Sequence, residues 1–399
     1  MADLSIVMLP LLAVLAPLAA RGLSRWARVP IVVFELVLGI LVGPDVLGWV
    51  APGPTIDVFA QLGLAMLFFM AGNEIDFSGM KGRPLTQSVA GWLLSLALGV
   101  AAGLAIAPGE AAMIVGVALC STALGTLLPI LRDANELGTP FGRAVSAVGA
   151  VGEFGPLIAI SIFLSARKPG PSALVLMAFV LIAALAMVIA ARRSHGRLHE
   201  LVRASLHTSG QFAIRIVILI MGALVALSLV LELDMLLGAF AAGIIWQIIM
   251  RNAPHRDREQ VESKIEAIAF GFLVPVFFIH TGVAFDVRAM VSDPRVLMLL
   301  PVFLVLLLVI RGIPATLSVP QGSSAKDRVA FGLLGATGLP VIVAVTAIGV
   351  SEHLIGSGVA AALVGAGMLS VLLFPLVAMA VRGERSAGPA DGDLVAEEA

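Results

Sequence analysis

The chain has 399 residues, 59% of them hydrophobic and 13% charged, with a formal net charge of −1 and a mean hydropathy of +1.05. That composition excludes an ordinary soluble globular domain and places the chain in a lipid bilayer. Its apolar runs are continuous and rich in Ala, Leu, Gly and Val, about 18 to 25 residues each, which suits membrane-crossing helices and excludes a β-barrel with alternating segments of about 10 residues.

In chain order the hydropathy predicts thirteen spans, near 4–20, 30–47, 57–73, 86–107, 110–131, 142–165, 171–191, 211–231, 234–250, 266–284, 296–318, 328–350 and 355–381. The first is read as a span, not a cleaved signal, because its arginines Arg21, Arg25 and Arg28 follow the apolar run. Of the 25 Lys and Arg residues, four (Arg167, Lys168, Arg288, Arg295) fall in loops on one side, and only Arg311 lies well inside a span. The rest gather on the other side. This asymmetry predicts a multi-pass protein of the cell membrane with the N-terminus outside and the C-terminus in the cytoplasm. Residues 386–399 are small, polar and acidic, and are expected to form a disordered cytoplasmic tail beyond a transmembrane domain of residues 1–385.

With the seventh span taken as a linker helix (about 171–193), the remainder divides into two six-span halves of opposite orientation, about 1–166 and 209–381. This is the inverted-repeat plan of many secondary transporters. The fifth span of the first half carries Cys120-Ser121-Thr122-Ala123-Leu124-Gly125, and that of the second carries Gly335-Ala336-Thr337-Gly338-Leu339-Pro340. Both interruptions weaken a helix and bear hydroxyls. A broken membrane helix frees backbone groups that suit an ion site, although small residues there also permit close helix packing. The single Cys120 reads as a packing residue.

Charge at mid-bilayer is costly, so an ionisable residue inside a span is a functional candidate. Glu153 lies near the centre of the sixth span, between Gly152 and Gly155, where the glycines leave room for water or a partner helix. Such a carboxylate can exchange a proton for a cation, and binding one or the other but not both couples their movements. Arg311 in the eleventh span lies at a similar depth and is expected to pair with Glu153 as a fixed counter-charge, the alternatives being a structural pair or a snorkelling arginine. Glu35, in the second span, reads as a brace or part of an access path. His280, at the outer end of the tenth, reads as a hydrogen-bonded interfacial histidine. Glu74, Asp76, Glu232 and Asp234 read as solvated surface charges that cap helices or steer cations.

Several motifs resemble the second family of monovalent cation:proton antiporters, the Kef-like potassium and bacterial sodium/proton exchangers. Glu35-Leu-Val-Leu-Gly-Ile-Leu-Val-Gly43-Pro44 is similar to its second-helix signature, and Phe69-Met-Ala-Gly72-Asn-Glu74-Ile-Asp76 to the end of its third. Leu237-Gly238-Ala-Phe-Ala-Ala-Gly243 and Gly271-Phe-Leu-Val-Pro275-Val-Phe277-Phe278 are similar to two more, in order. The resemblance implies an all-α membrane fold with crossed broken helices, a homodimer, alternating access and no cofactor. It puts Glu153 at the essential acidic position, with Ser121, Thr122 and Thr337 at the helix breaks as ion-binding residues and Arg311 at the embedded basic position. Gly152 replaces the Asp, Asn or Gln that many members carry before the acid, which points to electroneutral exchange. Gln61 stands where some members have a glutamate. The expected function is exchange of sodium or potassium for protons. A passive cation pathway on the same scaffold is the alternative. No zinc-ligand cluster, catalytic triad or phosphate loop points to an enzyme, and nothing points to nucleic acid.

Overall fold

A computed structural model describes residues 2–23, 30–75, 83–107, 109–163, 169–193, 211–251 and 253–383. Asp76 and the 386–399 tail lie outside them. The described residues form no strand. Among the described residues nine helical segments are long and apolar enough to cross a membrane, and four shorter apolar helices accompany them.

The helices are α1 (Ala2–Leu23), α2 (Ile31–Val42), α3 (Pro54–Asn73), α4 (Arg83–Ile106), α5 (Ala111–Leu119), α6 (Leu124–Asp133), α7 (Pro140–Phe163), α8 (Pro169–Arg193), α9 (Phe212–Val230), α10 (Met235–Met250), α11 (His255–Ile268), α12 (Val274–Val283), α13 (Val287–Ser292), α14 (Pro294–Leu306), α15 (Ile313–Ala315), α16 (Ala325–Gly335), α17 (Pro340–Ser351) and α18 (Ser357–Arg382). A π-helical turn, Ala269–Leu273, joins α11 to α12, and a second, Leu307–Gly312, joins α14 to α15.

Two boundaries differ from the hydropathy reading. The second span was expected to reach residue 47, but α2 stops at Val42, and the amides of Trp49 and Val50 fold back onto the Val42 carbonyl. The tenth was expected to begin at 266, but its helix starts at His255. Residues 255–268 are too polar for a hydropathy window to include, yet they carry Val261 and Ile265 on one buried stripe.

The helices pack as two groups. In one, α2 and α3 lie against α10 and α12, with α1, α9 and α11 on the outside; in the other, α4–α7 pack with α14–α18. The helix α8 touches α7 and α10. Lipid offers no hydrophobic drive for helices to associate, so close approach through small residues does that work. A Cβ on Gly39 would lie 2.2 Å from the Ile279 carbonyl oxygen, and one on Gly72 would lie 2.2 Å from that of Phe240. These glycines belong to the antiporter-like signatures, and their physical task is to let α2 meet α12 and α3 meet α10.

At one end of the second group, Arg382 of α18 holds Asp327 of α16 (Nε to Oδ1, 2.9 Å) and Glu136 of the α6–α7 loop (2.8 Å). Its guanidinium also lies 3.6 Å from the centroid of the Phe141 ring. This buried cluster ties the last helix to the ends of both interrupted ones.

Candidate functional site

Both interrupted spans are broken where the sequence weakens them. Between α5 and α6 the chain is non-helical from Ser121 to Ala123, and between α16 and α17 from Thr337 to Leu339. The two breaks cross and satisfy each other. Ala123 N–H donates to the Thr337 carbonyl (2.8 Å), Thr122 N–H to that of Gly152 (2.9 Å), and the Thr122 hydroxyl to that of Gly335 (2.7 Å). Freed backbone groups inside a membrane persist only when protein supplies such partners. The Ser121 hydroxyl donates to Ala118 O (2.8 Å) and that of Thr337 to Leu333 O (3.1 Å), so each closes the last turn of its own helix.

Glu153 on α7 is 1% exposed and faces the N-terminus of α6, where Leu124 N–H donates to its Oε2 at 3.2 Å. A helix start presents unpaired amides and the positive end of a dipole, so the break creates an anion-stabilising position beside the buried acid.

Arg311 sits on the second π-helical turn and is fully buried. Its Nε donates to Thr122 Oγ1 (2.7 Å) and its Nη2 to Val148 O (2.8 Å), while Nη1 has no partner. Contrary to the expectation from depth, no ion pair with Glu153 is formed within 4.0 Å. Similar depth did not suffice, because the guanidinium lies against Gly152, the residue beside the acid. A Cβ at Gly152 would come within 2.5 Å of both Arg311 Nη2 and Thr122 Oγ1, and one at Gly155 within 2.4 Å of the Trp92 ring. The room beside the glycines is therefore taken by side chains of neighbouring segments, Arg311, Thr122 and Trp92, the partner-helix alternative.

In front of Glu153 lies a cavity of about 750 Å³, lined among others by Glu35, Leu67, Glu74, Gly125, Thr126, Phe278, Pro340 and Met379. It extends from the crossing to the C-terminal ends of α1, α3 and α18. Most of its wall is apolar. Of the residues singled out from sequence, Glu153 and Glu35 reach this cavity, whereas Ser121, Thr122, Thr337, Gly152 and Arg311 stand behind or beside Glu153 at the crossing. Gln61 is exposed on the flank of α3 and does not reach it. His280 is remote from the crossing and bonds Asp57 at the start of α3, Nε2 to Oδ1 at 2.8 Å. Asp234 caps α10 by accepting from Leu236 N–H (2.8 Å), as a capping role anticipated.

Two cavity residues were not picked out for the site. Glu74, expected on a solvated face, is partly buried at the end of α3 and lines the cavity. Burial pushes its carboxyl up to about 7, with Arg132 opposing that shift and Glu266 and Glu262 adding to it. Thr126 lies on the first turn of α6, and its only sequence signal is its place just after the Cys120–Gly125 interruption. Among the described residues no group of three His, Cys, Asp or Glu is arranged to hold a metal ion.

The family model for transmembrane sodium/hydrogen exchangers matches residues 11–379. YjbQ of Bacillus subtilis (strain 168) is 25% identical over 94% of this chain, which spans 63% of that relative's length. A Na(+)/H(+) antiporter of Enterococcus hirae is 24% identical over 89% of the chain and 92% of its own. The sodium proton antiporter MjNhaP1 from Methanocaldococcus jannaschii at pH 8 shares the fold with a TM-score of 0.64 at 16% identity, covering 94% of this chain and 96% of that one.

Proposed function

The chain belongs to the transmembrane sodium/hydrogen exchanger family, and on that premise we propose that it exchanges a monovalent cation, sodium or potassium, for protons at Glu153. The observation that carries this reading is the position of that carboxylate. It is buried at the floor of a cavity, holds one backbone hydrogen bond, and among the described residues has no basic side chain within ion-pairing distance. An ionised carboxylate there needs either a proton or a cation, and a single carboxylate takes one at a time. That mutual exclusion is the coupling, and Gly152, in place of a second acid next to Glu153 in the chain, supports one-for-one, electroneutral exchange.

The dipole of α6 supports the ionised state between the two loads. Arg311 acts at longer range, as a fixed positive charge held by Thr122 and Val148, while the Thr122 hydroxyl ties the crossing together and those of Ser121 and Thr337 finish the helix ends beside it. The two halves of the chain, about 1–166 and 209–381, are read as inverted repeats about the linker helix α8, and relative motion of the two helix groups gives alternating access. The arginine and lysine asymmetry supports a multi-pass cell-membrane protein whose C-terminus and cavity mouth are cytoplasmic. The family resemblance supports a homodimer.

The test is proton flux in sealed proteoliposomes bearing a pH gradient, with the potential clamped and sodium, potassium, lithium or rubidium added in turn. One cation should dissipate the gradient in the wild type, and Glu153→Gln should reduce that flux about 100-fold or more while leaving the protein folded and inserted. Full exchange by the Gln variant, or flux that needs no counter-gradient of protons, overturns the assignment.

A further inference from the structure

Glu35 is a buried charge that the chemistry at Glu153 leaves unused. Its side of α2 is set by packing. Leu36 and Gly39 press on α12, where a Cβ at Gly282 would lie 2.2 Å from the Leu36 carbonyl oxygen. Successive helical residues are displaced by about 100° around the axis, so Glu35 is turned from that seam into the cavity wall. There it is 5% exposed, and among the described residues neither a hydrogen-bond donor nor a basic side chain reaches its carboxylate. The other charged side chains lining the same cavity are Arg21, Glu74 and Glu153.

The Glu35 carboxylate opens onto the cavity, and a charge held in so apolar a place is costly unless water or an ion completes it. Its surroundings limit what that is. Most side chains lining the cavity are apolar, Ile31, Val32, Leu67 and Phe278 among them, and such side chains offer no oxygen to replace the water that a small cation would lose. An ion that docks there keeps part of its hydration and stays weakly held. Glu35 also belongs to the helix group of α2, α3 and α12, whereas Glu153 belongs to the other, so the cavity has a carboxylate on each wall.

We propose that Glu35 is a second, low-affinity docking site for the transported cation, loading the cavity before the ion passes to Glu153. This rests on the exchange reading of Glu153, and two separable measurements test it. In proteoliposomes, Glu35→Gln should raise the KM for the cation about 3- to 10-fold with a much smaller change in maximal rate, and Glu35→Asp should recover part of the loss. An unchanged KM, or a fall in maximal rate alone, overturns the proposal. In detergent, equilibrium dialysis of radioactive sodium, and of rubidium in parallel, reports binding without transport. Glu153→Gln protein should keep a weak, salt-sensitive site that the Glu35→Gln/Glu153→Gln double variant lacks; equal binding by the two overturns the proposal. If the wild type moves no ion in vesicles, the exchange reading fails on its own, and dialysis still decides Glu35.

Discussion

Gly152→Ala adds one methyl group where a guanidinium and a hydroxyl already stand. The new Cβ would lie 2.5 Å from Arg311 Nη2, 2.5 Å from Thr122 Oγ1 and 2.7 Å from Thr122 Cβ, whereas ordinary contact begins at 3.4 Å. Both neighbours must withdraw by nearly an ångström. Neither can do so freely. Arg311 is held by its bonds to Thr122 and Val148, at 2.7 and 2.8 Å, and Thr122 by its bond to Gly335 at 2.7 Å. Weakening one bond from a buried guanidinium costs about 1.5–3 kcal/mol, and overpacking adds about 1–3 kcal/mol. The better helix propensity of alanine returns only about 1 kcal/mol, so a net loss of about 2–4 kcal/mol is expected. Thermal unfolding in detergent should show a midpoint several degrees lower, and exchange should fall about 10-fold or more as the charge of Arg311 moves relative to Glu153. Gly222→Ala on α9, whose Cβ would meet open space, is the control and should leave both readouts unchanged. A Gly152→Ala protein that melts and exchanges like the wild type would refute the packing of Arg311 on Gly152 and its role as a positioned counter-charge.

The Thr122 hydroxyl serves the crossing in two ways, donating to Gly335 and accepting from Arg311. Thr122→Val, equal in size but without the hydroxyl, should therefore cost more than about 2 kcal/mol and most of the exchange, while Thr122→Ser keeps both; equal activity of the two variants would remove the hydroxyl from the site. Glu74 gives a pH signature. Its carboxyl is raised from 4.5 to about 7, chiefly by burial, so the folded protein holds that proton more tightly than the unfolded chain. The resulting stability is complete below the unfolded value and is lost as the pH rises through the folded one, between 4.5 and about 7. Glu74→Gln should flatten that slope, so melting midpoints at about pH 5 and pH 8 should differ less than in the wild type. A variant with the wild-type slope would place Glu74 in water instead.

Read along the chain, the residues announce much of the architecture. Hydropathy is a sum over a window, and lipid makes that sum decisive, so the apolar helices among the described residues were visible without knowledge of their neighbours. The breaks at Ser121–Ala123 and Thr337–Leu339 were visible because glycine, proline and hydroxyl side chains weaken a helix locally. Glu153 stood out because charge is rare at that depth.

Tertiary structure decided what lies around each helix. In a bilayer the lipid-facing and protein-facing sides of a helix are both apolar, so the sequence carries little record of rotation. Gln61 stands where some members have a glutamate, yet α3 turns it outward, and Glu74 looked solvated until the same helix turned it into the cavity. Depth alone likewise suggested an ion pair between Arg311 and Glu153. The second π-helical turn and the notch at Gly152 instead send the guanidinium to Thr122 and Val148. The residues determined that a carboxylate and an arginine would be buried at one level of the membrane; helix rotation and close packing decided that they share a site without touching.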